Sequence, residues 1–158
     1  MSKFGNRQKA SFLKSIPQTS VDSENDTLAS KCKFNFAYFD VQPAGQSFED
    51  WHKDDLSALL NKLKEYSKEP LSYWKNNGVL VVYGGFPSKS NLKHPNHVPH
   101  QAQWARFRLK SAVRLVGFVL PEQYDRKEHN ATKSLFDCNT FYIVFLDAKH
   151  QFYLTEKK

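Results

Sequence analysis

The sequence predicts an α+β domain with a mostly antiparallel sheet of four to six strands and helices packed on one face. Two observations predict this class. One strand pattern is followed by two helical segments, and four or five strand patterns then follow with no further helix. The chain of 158 residues is 40% hydrophobic and 15% aromatic, so it can build one real core.

The first half of this order rests on three segments. Lys33 to Phe39 alternates aromatic with small or polar residues, which predicts a strand. Ser47 to Tyr66 has apolar residues at helical spacing, and Asp54-Asp55 could begin a second helix. One helix, or a short turn and a helix, are therefore both compatible. Pro70 ends this segment, and Leu71 to Asn76 predicts a short second helix.

The second half of the chain is rich in β-forming residues. Two of its strand patterns are almost wholly apolar, which predicts that both of their faces are buried. The segments are a strand at Val79 to Tyr83, a long loop at Ser88 to Gln103, a hairpin at Trp104 to Leu120 with its apolar arm from Val113, a charged loop at Pro121 to Asn139, an apolar strand at Thr140 to Leu146, and a last short strand at Gln151 to Thr155.

The first 30 residues are polar, so we expect a flexible N-terminal tail at 1–30 and a single α+β domain at 31–158. No apolar run approaches the roughly 20 residues of a membrane span, and we expect no membrane contact and no secretory leader. Cys32 and Cys138 are too few and too far apart for a disulfide framework. These features favour the cytoplasm.

The charge distribution points to an anionic partner. The net charge is +7, and no Asp or Glu occurs between Glu69 and Glu122. A basic stretch free of acids is typical of a surface that faces phosphates, although a solvated basic face is the alternative. The basic residues of this window are Lys75, Lys89, Lys93, Arg106, Arg108, Lys110 and Arg114, and His94, His97 and His100 accompany them.

The hairpin could place two arginines side by side. A two-residue turn at Ser111-Ala112 would pair Arg114 with Leu109, whereas a three-residue turn would bring Arg114 beside Lys110 and Arg108, and we favour the latter. Because Arg114 lies within an apolar arm, its charge needs an anionic partner. That partner is either a phosphate or a structural carboxylate such as Glu49 or Asp50.

The run from Trp104 to Phe118, followed by the apolar run from Phe141 to Leu146, resembles the hairpin and last strand of the RelE/ParE superfamily of toxins. The resemblance implies the order strand, helices, strands. It also implies a messenger-RNA endonuclease, a class in which some members act on the ribosome, and a cognate protein antitoxin. In such toxins a Tyr and one or more His near the end of the last strand belong to the active site, where this chain has Asp147, His150 and Tyr153.

Metal-independent cleavage of RNA needs a proton acceptor, a proton donor and cations for the phosphorane. We therefore expect Arg108, Arg114, His150 and Tyr153 to be catalytic, with His150 as the group that moves the proton. Further RNA contacts are expected from Trp104, Arg106, Lys110, Lys93 and His97. Two other functions stay open, which are a non-catalytic module that binds nucleic acid or a protein partner, and a gyrase inhibitor.

A metal site fits the sequence poorly, and we expect neither a metal nor a small-molecule cofactor. His94, His97 and His100 are evenly spaced, but Pro95 and Pro99 prevent a helix, and no Cys or acid lies in the loop to complete a ligand set. The phosphate-loop, serine-hydrolase, zinc-protease and dinucleotide motifs do not occur.

Overall fold

The computed structural model describes residues 4–17, 19–25 and 27–154. The chain divides into two compact units, Met1–Ser30 and Lys31–Lys158. In the described part of the chain, no helix combines the length and the apolar character needed to cross a bilayer. The helices are α1 (Phe4–Ser15), α2 (Lys53–Tyr66) and α3 (Leu71–Asn76), and the strands are β1 (Lys33–Asn35), β2 (Leu80–Gly84), β3 (Gln103–Lys110), β4 (Val113–Val119) and β5 (Thr140–Asp147).

The first unit contains a helix that the sequence analysis did not predict. Helix α1 has twelve residues, and its side chains from Gly5 to Ser15 are exposed. Phe12 and Leu13 are 66% and 51% exposed, so the helix forms without burying an apolar face. The flexibility of residues 1–30 stays a prediction.

The second unit is a five-stranded sheet in the order β1-β5-β4-β3-β2. Strand β1 is parallel to β5, and the other neighbouring strands are antiparallel. The predicted α+β class with a mostly antiparallel sheet is confirmed. Strand β1 is shorter than predicted, because the Asn35 side chain accepts the backbone N–H of Ala37 and turns the chain.

Helices α2 and α3 cover one face of the sheet. A 3₁₀ turn at Phe48–Asp50 precedes α2, so the segment is a short turn and a helix. Leu59, Leu63 and Tyr66 of α2 are buried against the sheet. The Tyr66 ring stacks on Phe107 with 4.7 Å between ring centroids. We call this face, with its cluster of buried residues, the helix face.

The opposite face carries a second core, which we call the loop face. Trp104, Phe118 and Phe145 are at most 1% exposed there. They are covered by the segment between β2 and β3, in which Leu92 and Val98 are almost fully buried. The sequence analysis treated this segment as an exposed loop. Its apolar residues are instead buried, because the apolar strands β4 and β5 need cover on both faces.

Two bulges decide which side chains share the loop face. Leu109 is the extra residue of β3 opposite β4, and Val144 is the extra residue of β5 opposite β4. Each bulge reverses the alternation of side chains beyond it. Lys110 therefore moves to the helix face, and Asp147 moves to the loop face. Beside the second bulge a Cβ on Gly117 would lie 2.0 Å from the Tyr142 carbonyl oxygen, so only glycine fits there.

Candidate functional site

The hairpin between β3 and β4 sets the position of the arginines. Its turn has the two residues Ser111 and Ala112, and Ser111 has a φ of 40°. The predicted three-residue turn is wrong. Arg108 nevertheless lies directly opposite Arg114, because the bulge at Leu109 supplies the extra residue that the longer turn would have supplied.

This register places three guanidinium groups on the loop face. Arg106 lies two positions before Arg108 on β3, and Arg114 lies on β4 between Arg108 and Asp147 of β5. Arg108 is exposed, and Arg106 and Arg114 are half-buried. We call Arg106, Arg108 and Arg114 the arginine cluster.

No residue of the arginine cluster forms an ion pair among the described residues, and the carboxylate of Asp147, which lies opposite Arg114, bonds to backbone N–H groups instead. The alternatives Glu49 and Asp50 do not pair with Arg114. The Arg114 Nη1 donates to the carbonyl oxygens of Ser111 and Val113 instead. The Nη1 of Arg106 is buried and has no hydrogen-bond partner. Such a donor normally costs about 1–3 kcal/mol, which an added anion would offset.

The pKa of the Arg114 guanidinium reflects its burial and its arginine neighbours. Burial lowers the pKa of the Arg114 guanidinium, and the charges of Arg106 and Arg108 lower it further, while Tyr83 and Asp147 act in the opposite direction. Three like charges on neighbouring strands repel one another, so a bound anion would be stabilised by all three.

The segment after β5 carries the two other predicted catalytic residues. The carboxylate of Asp147, which is 1% exposed, accepts the backbone N–H groups of Lys149, Gln151 and Phe152 at 3.3, 2.9 and 2.9 Å. These bonds close a turn in which His150 has a φ of 55°. Residues 151–154 form no strand, so the predicted last strand is wrong for them, and Thr155 lies outside the described residues.

The turn brings His150 and Tyr153 to the arginines. A cleft of about 150 Å³ opens on the loop face, with two arginines on one side and the turn on the other. Tyr153 stacks on Tyr83 of β2, with 4.8 Å between ring centroids and 12° between ring planes. The lining residues are Tyr83, Arg106, Arg114, Val116, Asp147, His150, Phe152 and Tyr153.

The cleft therefore offers cations, an imidazole and a phenol around one small space. Guanidinium groups bind phosphate oxygens through paired hydrogen bonds. An imidazole can accept or donate a proton near pH 7. Among the described residues no group of three or more His, Cys, Asp or Glu side chains is placed to hold a metal ion.

Two residues expected to contact RNA do not face the cleft. Trp104 is 1% exposed and packs against Phe145 in the core of the loop face, so its ring is not open to a base. Lys110 lies on the helix face, where its Nζ is 3.0 Å from the Asp55 carboxylate. Simple alternation along β3 placed Lys110 with the arginines, and the bulge at Leu109 overturns that placement.

The loop that carries Lys93 and His97 does not line the cleft either. The His97 ring stacks on Tyr38 at 6.1 Å, and its Nε2 is 3.0 Å from the Tyr38 carbonyl oxygen. The backbone N–H and carbonyl of Lys93 both bond to the side chain of Gln42. Neither residue lines the cleft, so either one could contact only an RNA chain that extends well beyond the cleft.

Sequence reasoning missed Tyr83 as a site residue. Tyr83 is the penultimate residue of β2, and only the fold brings it next to Tyr153, which follows it by 70 positions. A weak signal was available, since an aromatic residue before Gly84-Gly85 stands where a strand leaves the sheet.

Comparisons with protein-family models, with curated proteins and with solved structures find no match to this chain.

Proposed function

We propose that the protein is a metal-independent endoribonuclease of the toxin type, which binds and cleaves messenger RNA at the arginine cluster. One observation carries this proposal. Arg106 and Arg114, neither paired with an acid in the described part of the chain, share a cleft with His150 and Tyr153. A phosphodiester supplies the anion that the cluster lacks, and a ribose 2′-OH supplies a proton for the imidazole.

Each side chain then has a distinct role. Arg114 holds the scissile phosphate, and Arg106 and Arg108 stabilise the charge that grows on it during the reaction. His150 moves the proton between the attacking and leaving oxygens. Tyr153, held by its stack on Tyr83, positions the base next to the phosphate.

The biological setting belongs to the same proposal. A protein antitoxin would cover the basic loop face, and the ribosome is a possible carrier of the substrate. Cys32 and Cys138 are both free thiols, which fits a reducing cytoplasm. No small-molecule cofactor enters the proposed reaction.

A non-catalytic RNA-binding module is the second candidate. The observation that favours it is the stacked pair of Tyr83 and Tyr153, because Tyr153 is 47% exposed and offers ring surface to any single-stranded base. Binding by cations and aromatic rings does not need His150 at all, and this separates the two candidates.

Cleavage assays on His150 and Arg114 variants test the proposal. We expect His150→Asn to lower the rate of RNA cleavage by about 10²–10⁴-fold and to leave RNA affinity nearly unchanged, as for loss of one acid–base group. Asn is chosen because it tolerates the positive φ of residue 150. Arg114→Ala should abolish both cleavage and growth inhibition while the circular dichroism spectrum is retained.

The control for these variants is Lys64→Ala, which removes an exposed positive charge on α2 and should cleave as the wild type does. The products should carry 2′,3′-cyclic phosphates, and EDTA should have no effect. Absence of cleavage by the wild type, with RNA binding retained, would replace the nuclease by the binding module. Activity lost in EDTA would contradict the metal-independent mechanism.

Salt dependence tests whether the arginine cluster binds phosphates. We expect the affinity for single-stranded RNA to fall with salt, with a log–log slope of about −0.7 for each phosphate neutralised. The slope should become less steep by about one phosphate in Arg114→Ala and stay unchanged in Lys64→Ala. A flat dependence in the wild type would mean that the positive charge serves solubility only.

A further inference from the structure

A second cavity lies beside the cleft and shares two residues with it. Its volume is about 560 Å³, within the range of small-molecule sites, and it is larger than the cleft itself. Tyr83 and Tyr153 line both spaces, so the stacked ring pair is the wall between them. The lining residues are Tyr83, Gly85, Pro87, Ser88, Lys89, Tyr153 and Leu154.

The cavity is built by two segments that are bonded to each other. The loop after β2 approaches the segment after β5, where the N–H of Leu154 donates to the carbonyl of Lys89 at 3.1 Å. The N–H of Asn91 donates to the carbonyl of Gln151 at 2.9 Å. The cavity is therefore formed in the folded chain and needs no closure on a ligand.

The composition of the wall matches a nucleoside. Tyr153 is 47% exposed, so ring surface is open for a base to stack on. Ser88 contributes a hydroxyl that can bond to a base edge or a ribose, and Lys89 contributes a positive charge. Gly85 leaves room, because no atom of the described residues lies within 4 Å of the point where its Cβ would stand.

We propose that this cavity is a nucleoside subsite, which holds the RNA base adjacent to the phosphate in the arginine cluster. The inference rests on the proposed function for the identity of the phosphate site. In single-stranded RNA a base and its phosphate are joined through one sugar, and here an aromatic wall separates an anion site from a larger cavity. The strand would therefore cross the tyrosine pair with its phosphate on one side and its base on the other.

The test uses oligonucleotides that cannot be cleaved, so that binding is read separately from catalysis. The probes are four 2′-O-methyl tetranucleotides, one for each base, and a tetramer of the same backbone without bases. We expect at least one base-containing tetramer to bind the wild type about tenfold more tightly than the abasic one, as one stacked base provides.

Gly85→Leu places a bulky side chain at the cavity wall, and Gly85→Ala is its small counterpart. Gly85→Leu should abolish the preference for the base-containing tetramer and leave the abasic affinity unchanged, while Gly85→Ala should keep most of the preference. Tyr153→Ala is a second variant that should lose the preference by removing the wall. Arg114→Ala should weaken base-containing and abasic tetramers by the same factor.

Three of the four outcomes separate the subsite from the proposed function. Equal binding of all tetramers to the wild type would overturn the subsite and leave the phosphate site intact. A base preference that survives both Gly85→Leu and Tyr153→Ala would place the base elsewhere and also overturn it. A preference that these variants abolish, in a protein that cleaves no RNA, would support the subsite and remove only the nuclease. Absence of binding by every tetramer would overturn both.

Discussion

At the scale of single residues, Asp147 links the sheet to the site. Its carboxylate is buried at the end of β5 and accepts three backbone N–H groups of the following turn. This turn fixes the position of His150. It also anchors Phe152, which is 2% exposed, in the core of the loop face. Asp147 touches no substrate in the proposed mechanism, so it acts as a positioning residue for His150 and Tyr153.

Replacement of Asp147 tests this role. Asp147→Ala leaves three N–H groups without this acceptor, of which that of Phe152 is buried, and we expect it to lower the free energy of unfolding by about 3 kcal/mol, measured by urea denaturation. Asp147→Asn keeps one carbonyl acceptor and should cost less than half as much. Equal stability of Asp147→Ala and the wild type would show that the turn does not depend on this carboxylate.

At the scale of secondary structure elements, β1 is the weakest part of the sheet. It has three residues and is the only parallel neighbour of β5 among the described strands. Lys33 of β1 donates to the Asp137 carboxylate at 2.7 Å, just before β5 begins. Asp137 also accepts the N–H of Asn139 at 2.8 Å. This carboxylate therefore ties the edge strand to its neighbour.

The Asp137 tie predicts a pH dependence of stability. Although partial burial raises the pKa of Asp137, the hydrogen bond from Lys33 and the N–H of Asn139 outweigh it, and the net pKa is lowered. A carboxyl whose pKa is lower in the folded state stabilises the fold above its unfolded pKa of about 3.9, and this contribution is lost as pH falls through the folded value.

We expect thermal unfolding from pH 6 to pH 2 to show this loss. Asp137→Asn lacks the titrating group, so its stability should fall less steeply over this range than that of the wild type. The difference should be below about 1 kcal/mol, because both partners are solvent-exposed. Parallel curves for the two proteins would contradict the assignment.

At the scale of the whole molecule, the chain divides after Ser30 into two compact units. The second unit holds both buried clusters, one on each face of the sheet. In the first unit, α1 exposes Phe12 and Leu13. The apolar burial that stabilises the fold therefore belongs to residues from Cys32 onward.

Removal of residues 1–30 tests this division. We expect the remaining chain to keep its circular dichroism signature apart from the lost helical signal of α1, and to unfold within about 2 °C of the full chain. Limited proteolysis of the full chain should yield a stable core that begins near Lys31. Failure of residues 31–158 to fold would mean that the first unit stabilises the second.

The sequence by itself determined the order of the helices and strands from Lys33 to Asp147 and the burial of β4 and β5 on both faces. Period-two alternation around Phe107 and the apolar runs of β4 and β5 predicted the hairpin and two buried strands, because side-chain periodicity is a local property. The grouping of Arg108, Arg114, His150 and Tyr153 on one side of the molecule was also within its reach, through the hairpin and the end of the last strand. Whether these residues act in catalysis stays a prediction.

The tertiary structure alone decided which of the other residues join them. The bulges at Leu109 and Val144 turned Lys110 away and Asp147 inward, and no local pattern marks a bulge, since it depends on the register of two strands. The burial of Trp104 and the meeting of Tyr83 with Tyr153 likewise depend on segments far apart in the chain. Such contacts form only when the sheet brings these segments together, and the cleft and its neighbouring cavity exist for that reason.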